Sequence, residues 1–133
     1  MKNFLIVTGI FEAVTGILLL ISPSLPVSIL FDSPVDNPVG LLIGRLAGAA
    51  LLSLGVACWL VRNDEKSGAT TGIVIAMLVY NVVALALLTY AGLIVHLSGV
   101  GLWPAVFIHV VLTIWCIKNI PGRRQKNSFI NKR

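Results

Sequence analysis

Four long apolar runs, at about 4–21, 39–61, 69–95 and 102–117, constrain this chain more than anything else in it. Lipid cannot satisfy open backbone N–H and C=O groups, so a segment inside the hydrocarbon core must close its hydrogen bonds within itself, as a helix. Such a helix needs about 20 apolar residues to cross, with a working range of about 17–25. The fourth run is at the short end of that range, and the third is long enough to tilt. The predicted fold class is therefore all-α: an integral-membrane bundle of four transmembrane helices, forming a single domain over 1–133. Composition agrees, with 57% hydrophobic and 11% charged residues, where a soluble domain carries about 25% charged. Lys2 followed by an apolar stretch also resembles a secretory leader. No A-x-A-like site follows, however, and Glu12 interrupts the run, so it is read as a span.

Charge sets the expected orientation. The chain has a formal net charge of +5, yet nine of its ten Lys and Arg residues fall at Lys2, in the 62–68 turn (Arg62 and Lys66) and in the 118–133 tail. With four spans these segments share one side, and the positive-inside rule makes that side cytoplasmic. The other side holds Asp32 and Asp36 and no Lys or Arg. This predicts N-in, C-in topology in a cell membrane, read as a bacterial inner membrane. Trp59, Trp103 and Trp115 lie near run ends, where interface aromatics belong. The basic charge is thus a topology signal, and no nucleic-acid partner is expected. Membrane lipids are. The basic tail would attract anionic lipid by about 1 kcal/mol per residue near the surface.

Cys58 and Cys116 sit singly in apolar runs, with no C-x-x-C and no metal-ligand spacing, which predicts neither a disulfide nor a metal. No cofactor is expected either: His96 and His109 lie at different depths, whereas two axial haem ligands must meet at one iron. The 22–38 connection carries four of the six prolines. Its apolar middle, 25–31, is expected to lie on the membrane surface as a short turn of helix.

Each span carries a polar residue well inside it: Glu12, then Arg45, then Asn81 with Tyr80 beside it, then His109. A charge at the bilayer centre costs about 2.5–3.5 kcal/mol on insertion scales, and such residues normally face the bundle interior and pair. At about 1.5 Å per residue, all four fit one layer between the midplane and the outer half. Small or hydroxyl residues share their faces: Thr8, Gly9, Thr15 and Gly16 around Glu12, and Ala105, Thr113 and Cys116 around His109. Arg45 lies beside Gly40, Gly44 and Gly48, a doubled G-x-x-x-G that lets helix backbones approach closely. The polar groups are therefore expected on packed faces, with Glu12 and Arg45 close enough to form an ion pair.

Two resemblances rest on these residues. The segment Phe11-Glu12-Ala13-Val14-Thr15-Gly16 resembles the first helix of the small multidrug resistance transporters, which implies a membrane-embedded glutamate exchanging protons for cationic drugs. The third run lacks that family's tryptophan-containing motif. The segment from Gly44-Arg45 to Gly55 resembles the R-x-x-G-x-x-x-x-x-x-G helix of small four-helix bacterial membrane proteins, DoxX-like ones among them. That likeness implies the whole topology and no single activity.

Three functional readings follow. One is a protein that binds a small ligand, lipid or proton at Glu12, Arg45, Tyr80, Asn81 and His109. A second is a structural accessory subunit, homo-oligomeric or docked to a membrane-protein partner through Gly40, Gly44 and Gly48. The third is a lipid- or quinone-modifying enzyme, for which no nucleophile, metal set or cofactor motif accompanies the layer, and no catalytic residue is assigned.

Overall fold

The computed structural model describes residues 1–64 and 67–120; Lys66 and most of the basic tail lie outside them. The described chain is all-helical: α1 (Lys2–Ile21), α2 (Ser24–Phe31), α3 (Pro38–Val61), α4 (Gly68–Leu93) and α5 (Leu102–Asn119). The helices α1, α3, α4 and α5 are long and apolar enough to cross a membrane. Each ends within two residues of the apolar run that predicts it. The expected helical turn in the 22–38 connection is α2.

Local chemistry sets these boundaries. Asn37 caps α3 by accepting from the Gly40 N–H at 2.7 Å, and Pro38 follows at the first helical position, where its missing N–H costs nothing. Ser67 caps α4 by accepting from the Thr70 N–H at 3.1 Å. Asp32 ends α2 in the left-handed region at φ 52°, a conformation a short polar side chain tolerates better than most.

Two antiparallel pairs make the bundle. In the first, α1 lies on α3 with backbones in contact. A Cβ on Gly16 would stand 2.7 Å from the Gly48 carbonyl, and one on Gly55 2.7 Å from the Gly9 carbonyl. Both helices space these glycines seven residues apart, two turns, so both pairs fall on one seam. In the second, α4 lies on α5, and a Cβ on Gly92 would meet Leu102 and Trp103. Larger side chains fill the space between the pairs. At the end that carries Met1, the buried cluster Phe4, Leu5, Cys58, Val74, Met77 and Cys116 draws on all four long helices. At the opposite end α2 is held by α1 and α5. The Gly101 N–H donates to the Ile29 carbonyl at 2.8 Å, and Gly99 presses against the backbone of Ile29 and Leu30.

Candidate functional site

Glu12 is the most unusual side chain in the molecule. It is 0% exposed, on the face of α1 that also buries Leu5, Thr8 and Gly16. Among the described residues neither oxygen of its carboxyl has a hydrogen-bond partner, nor does the hydroxyl of Thr8 one turn away. Thr8 departs from the habit of four other hydroxyls in the long helices. Thr15 donates to Phe11 O, Ser53 to Ala49 O, Thr71 to Ser67 O and Thr113 to His109 O, each four residues back. That internal bond is how a hydroxyl satisfies itself in an apolar helix. Thr8 leaves its own unmade, in line with Glu12. A buried polar group without a partner costs about 1–3 kcal/mol, and more when charged.

Opposite stands a second group, from the other helix pair. The Asn81 amide nitrogen donates to the Met77 carbonyl at 2.7 Å, which leaves its oxygen facing His109 Nδ1 at 2.9 Å. An amide oxygen only accepts, so Nδ1 carries the proton and donates, and Nε2 of the neutral ring keeps a lone pair. Tyr80 packs edge-on against the imidazole, with centroids 5.9 Å apart at 74°. Asn81 and His109 are buried and Tyr80 is half-buried. Glu12 lies within electrostatic reach of Tyr80 and of Cys58. The fold thus buries Glu12 on one helix pair, and on the other joins Asn81, His109 and half-buried Tyr80 into one group.

Arg45 is not part of it. Its side chain is exposed and makes no ion pair with Glu12, whose oxygens are bare. The expected pair fails for a geometric reason. Gly48, Leu51, Gly55 and Cys58 form the buried arc of α3, and Arg45 falls about 100° around the helix from it. The G-x-x-x-G stripe also serves differently from expectation. Gly48 meets α1, as a helix-packing glycine should. Gly44 instead seats Pro23, and Gly40 seats Val35 and Asn37. This chain's own residues pack on the stripe, leaving Gly40 and Gly44 half-buried and Gly48 buried. What the sequence reading missed was the matched seven-residue spacing of Gly9 and Gly16 with Gly48 and Gly55. That signal was available, and it fixes which way α3 faces.

A groove of about 180 Å³ lies elsewhere. Gly9, Ile10, Ala13, Gly55, Val56 and Trp59 line it on the outward side of the α1–α3 seam, without Glu12. Among the described residues no three His, Cys, Asp or Glu side chains come together to hold a metal. What these groups offer chemically is unused hydrogen-bonding capacity: the two oxygens of the Glu12 carboxyl, the Thr8 hydroxyl and an imidazole nitrogen, in apolar surroundings where each hydrogen bond is worth more than in water. The chain matches no family model, no curated protein and no solved structure, so the two resemblances stand on the residues that carry them.

Proposed function

We propose that this multi-pass membrane protein binds hydrogen-bond donors at Glu12: a proton, or a small molecule or lipid headgroup presenting N–H or O–H. One observation carries the reading. Glu12 and Thr8 together present three fully buried oxygens without partners, an arrangement too costly for a bundle that needs only to pack. Tyr80 and the Asn81–His109 pair form the facing wall and hold the ligand in register.

A hydrophobic carbodiimide tests this, because it modifies neutral carboxyl groups in apolar surroundings. In the reconstituted full chain it should label Glu12 ahead of the exposed Asp32 and Asp36, lose that label in Glu12→Gln, and react more slowly with octylamine present. A label that octylamine does not slow would identify the proton as the occupant. Absence of any label at Glu12 would overturn the reading. The proposed orientation places both termini in the cytoplasm and rests on the basic residues at Lys2, Arg62, Lys66 and the tail. A C-terminal fluorescent-protein fusion should fluoresce, and a phosphatase fusion there should be inactive.

A second reading, an accessory subunit of a membrane complex, has one observation in its favour. Arg45 stands exposed within α3 with no partner among the described residues, whereas intramembrane charges normally face protein. In that reading Arg45→Leu would release the chain from a partner carrying a carboxylate at the same depth.

A further inference from the structure

The α1–α3 seam closes on glycine at Gly9 and Gly55, and that close approach leaves a trough along its outward side. Both glycines are buried and Ala13 is half-buried, whereas Ile10, Val56 and Trp59 stand exposed beside them. The lining is apolar. On α1 it runs from Gly9 to Ala13, about 6 Å of helix, and on α3 it reaches Trp59, near the end of that helix at the Met1 side. A hydrocarbon chain seated between two helices meets more atoms at contact distance than one lying on a single convex surface.

The water end of the trough carries a cation. Arg62 caps α3, and its guanidinium carbon stands 4.0 Å from the centroid of the Trp59 ring that walls the trough. Its Nη1 donates to the Trp59 carbonyl. An arginine at a membrane interface commonly extends its head into water; this one is half-buried, folded back over the indole. Capping a terminal carbonyl occupies one of its five N–H groups. The other four have no partner among the described residues, and the planar fork that presents them matches a phosphate. The described charges at this end favour an anion, with Lys2, Arg62 and Lys118 against Asp64 alone. In the orientation proposed above, this is also the leaflet that holds anionic lipid. Helix α5 repeats the spacing with Trp115 and Lys118, but the groove there is lined by α5 alone, and lysine offers a point charge in place of a fork.

We propose that the trough and Arg62 together bind one anionic phospholipid. An acyl chain lies along Gly9, Ala13 and Gly55, the phosphate sits on the Arg62 guanidinium, and Trp59 marks the interface between them. The occupant is a lipid because both of its halves are matched in the right order, apolar trough within the membrane and cation at its edge. This site is on the outside of the bundle, separate from donor binding at Glu12, and either can fail without the other.

Native mass spectrometry of the detergent-purified full chain tests this, with dioleoylphosphatidylglycerol and dioleoylphosphatidylcholine added in turn. The wild type should retain one phosphatidylglycerol per chain, about 5–10-fold more tightly than phosphatidylcholine. Arg62→Gln should remove that preference, and Lys118→Gln, the same change of charge outside the trough, should preserve it. Val56→Phe, on the exposed wall, should weaken retention of both lipids by narrowing the trough. The wild-type comparison needs no variant to fold, and equal retention of the two lipids would overturn the proposal. So would equal losses in Arg62→Gln and Lys118→Gln, which would make the attraction a property of the whole charged face. A wild-type dimer that Val56→Phe disrupts would overturn it too, by seating a second copy in the trough.

Discussion

Replacing Gly48 with alanine probes the α1–α3 seam on which the placement of Glu12 depends. The added Cβ would stand 2.7 Å from the Gly16 carbonyl oxygen and 2.9 Å from both Leu19 Cβ and Leu20 N. Carbon atoms at rest keep about 3.5–4.0 Å, so α1 must retreat by about 0.7–1 Å along the seam. Overpacking of this kind costs about 1–3 kcal/mol. Alanine also gains about 1 kcal/mol over glycine in helix propensity, so the raw change in stability is misleading. Gly72 supplies the correction. It lies in α4 with nothing within 4 Å of where a Cβ would go, so Gly72→Ala reads propensity alone. The assay is reversible unfolding in mixed micelles followed by helical circular dichroism, with both variants compared with wild type. Gly48→Ala should be less stable than Gly72→Ala by about 1–3 kcal/mol. Adding Gly16→Ala should cost less than it does alone, because a single retreat relieves both clashes. Equal stability of Gly48→Ala and Gly72→Ala would refute the backbone-contact seam.

Other predictions follow from single contacts. A double-mutant cycle on Asn81→Ala and His109→Ala should return a coupling of about 0.6–1.7 kcal/mol, the range of hydrogen bonds between transmembrane helices; zero coupling would mean that the 2.9 Å contact is not made in the folded protein. A Cβ on Gly99 would stand 2.4 Å from the Ile29 carbonyl oxygen. Gly99→Ala should therefore dislodge α2 and expose the Gly101 N–H to hydrogen exchange while the four long helices keep their protection. Thr8→Val removes an orphaned hydroxyl and preserves shape, so it should leave stability unchanged or raise it by about 1 kcal/mol. A marked loss would reveal a partner for Thr8.

The spans were legible in the sequence because a membrane leaves the backbone one solution, and the helix is written in twenty apolar residues at a time. The inward faces of Glu12, Asn81 and His109 were legible for a related reason: a polar group in lipid has only one comfortable direction. Arg45 shows where that logic stops. It was assigned to the packed face because glycines flank it at four-residue spacing, yet the face of α3 is chosen by contact with α1. That choice is encoded in the seven-residue spacing shared by two helices. Reading it requires comparing helices, whereas periodicity treats each one alone. Gly40 and Gly44 pack against Val35, Asn37 and Pro23, and the path of a proline-rich connection leaves no periodic trace. The buried cluster of Phe4, Leu5, Cys58, Val74, Met77 and Cys116 is likewise a property of how four helices face one another, invisible in any one of them.

The central claim is that Glu12 sits inside the bundle as a carboxyl with no protein partner, holding a donor of its own. Infrared difference spectroscopy of the full chain in lipid nanodiscs, wild type against Glu12→Gln, reads that group directly. The structure predicts the carbonyl band of a neutral, weakly hydrogen-bonded carboxyl in the wild type, absent in Glu12→Gln and unmoved by Arg45→Leu. A spectrum in which removing Glu12 takes away only an ionised carboxylate band, or in which Arg45→Leu shifts the Glu12 signal, would contradict it.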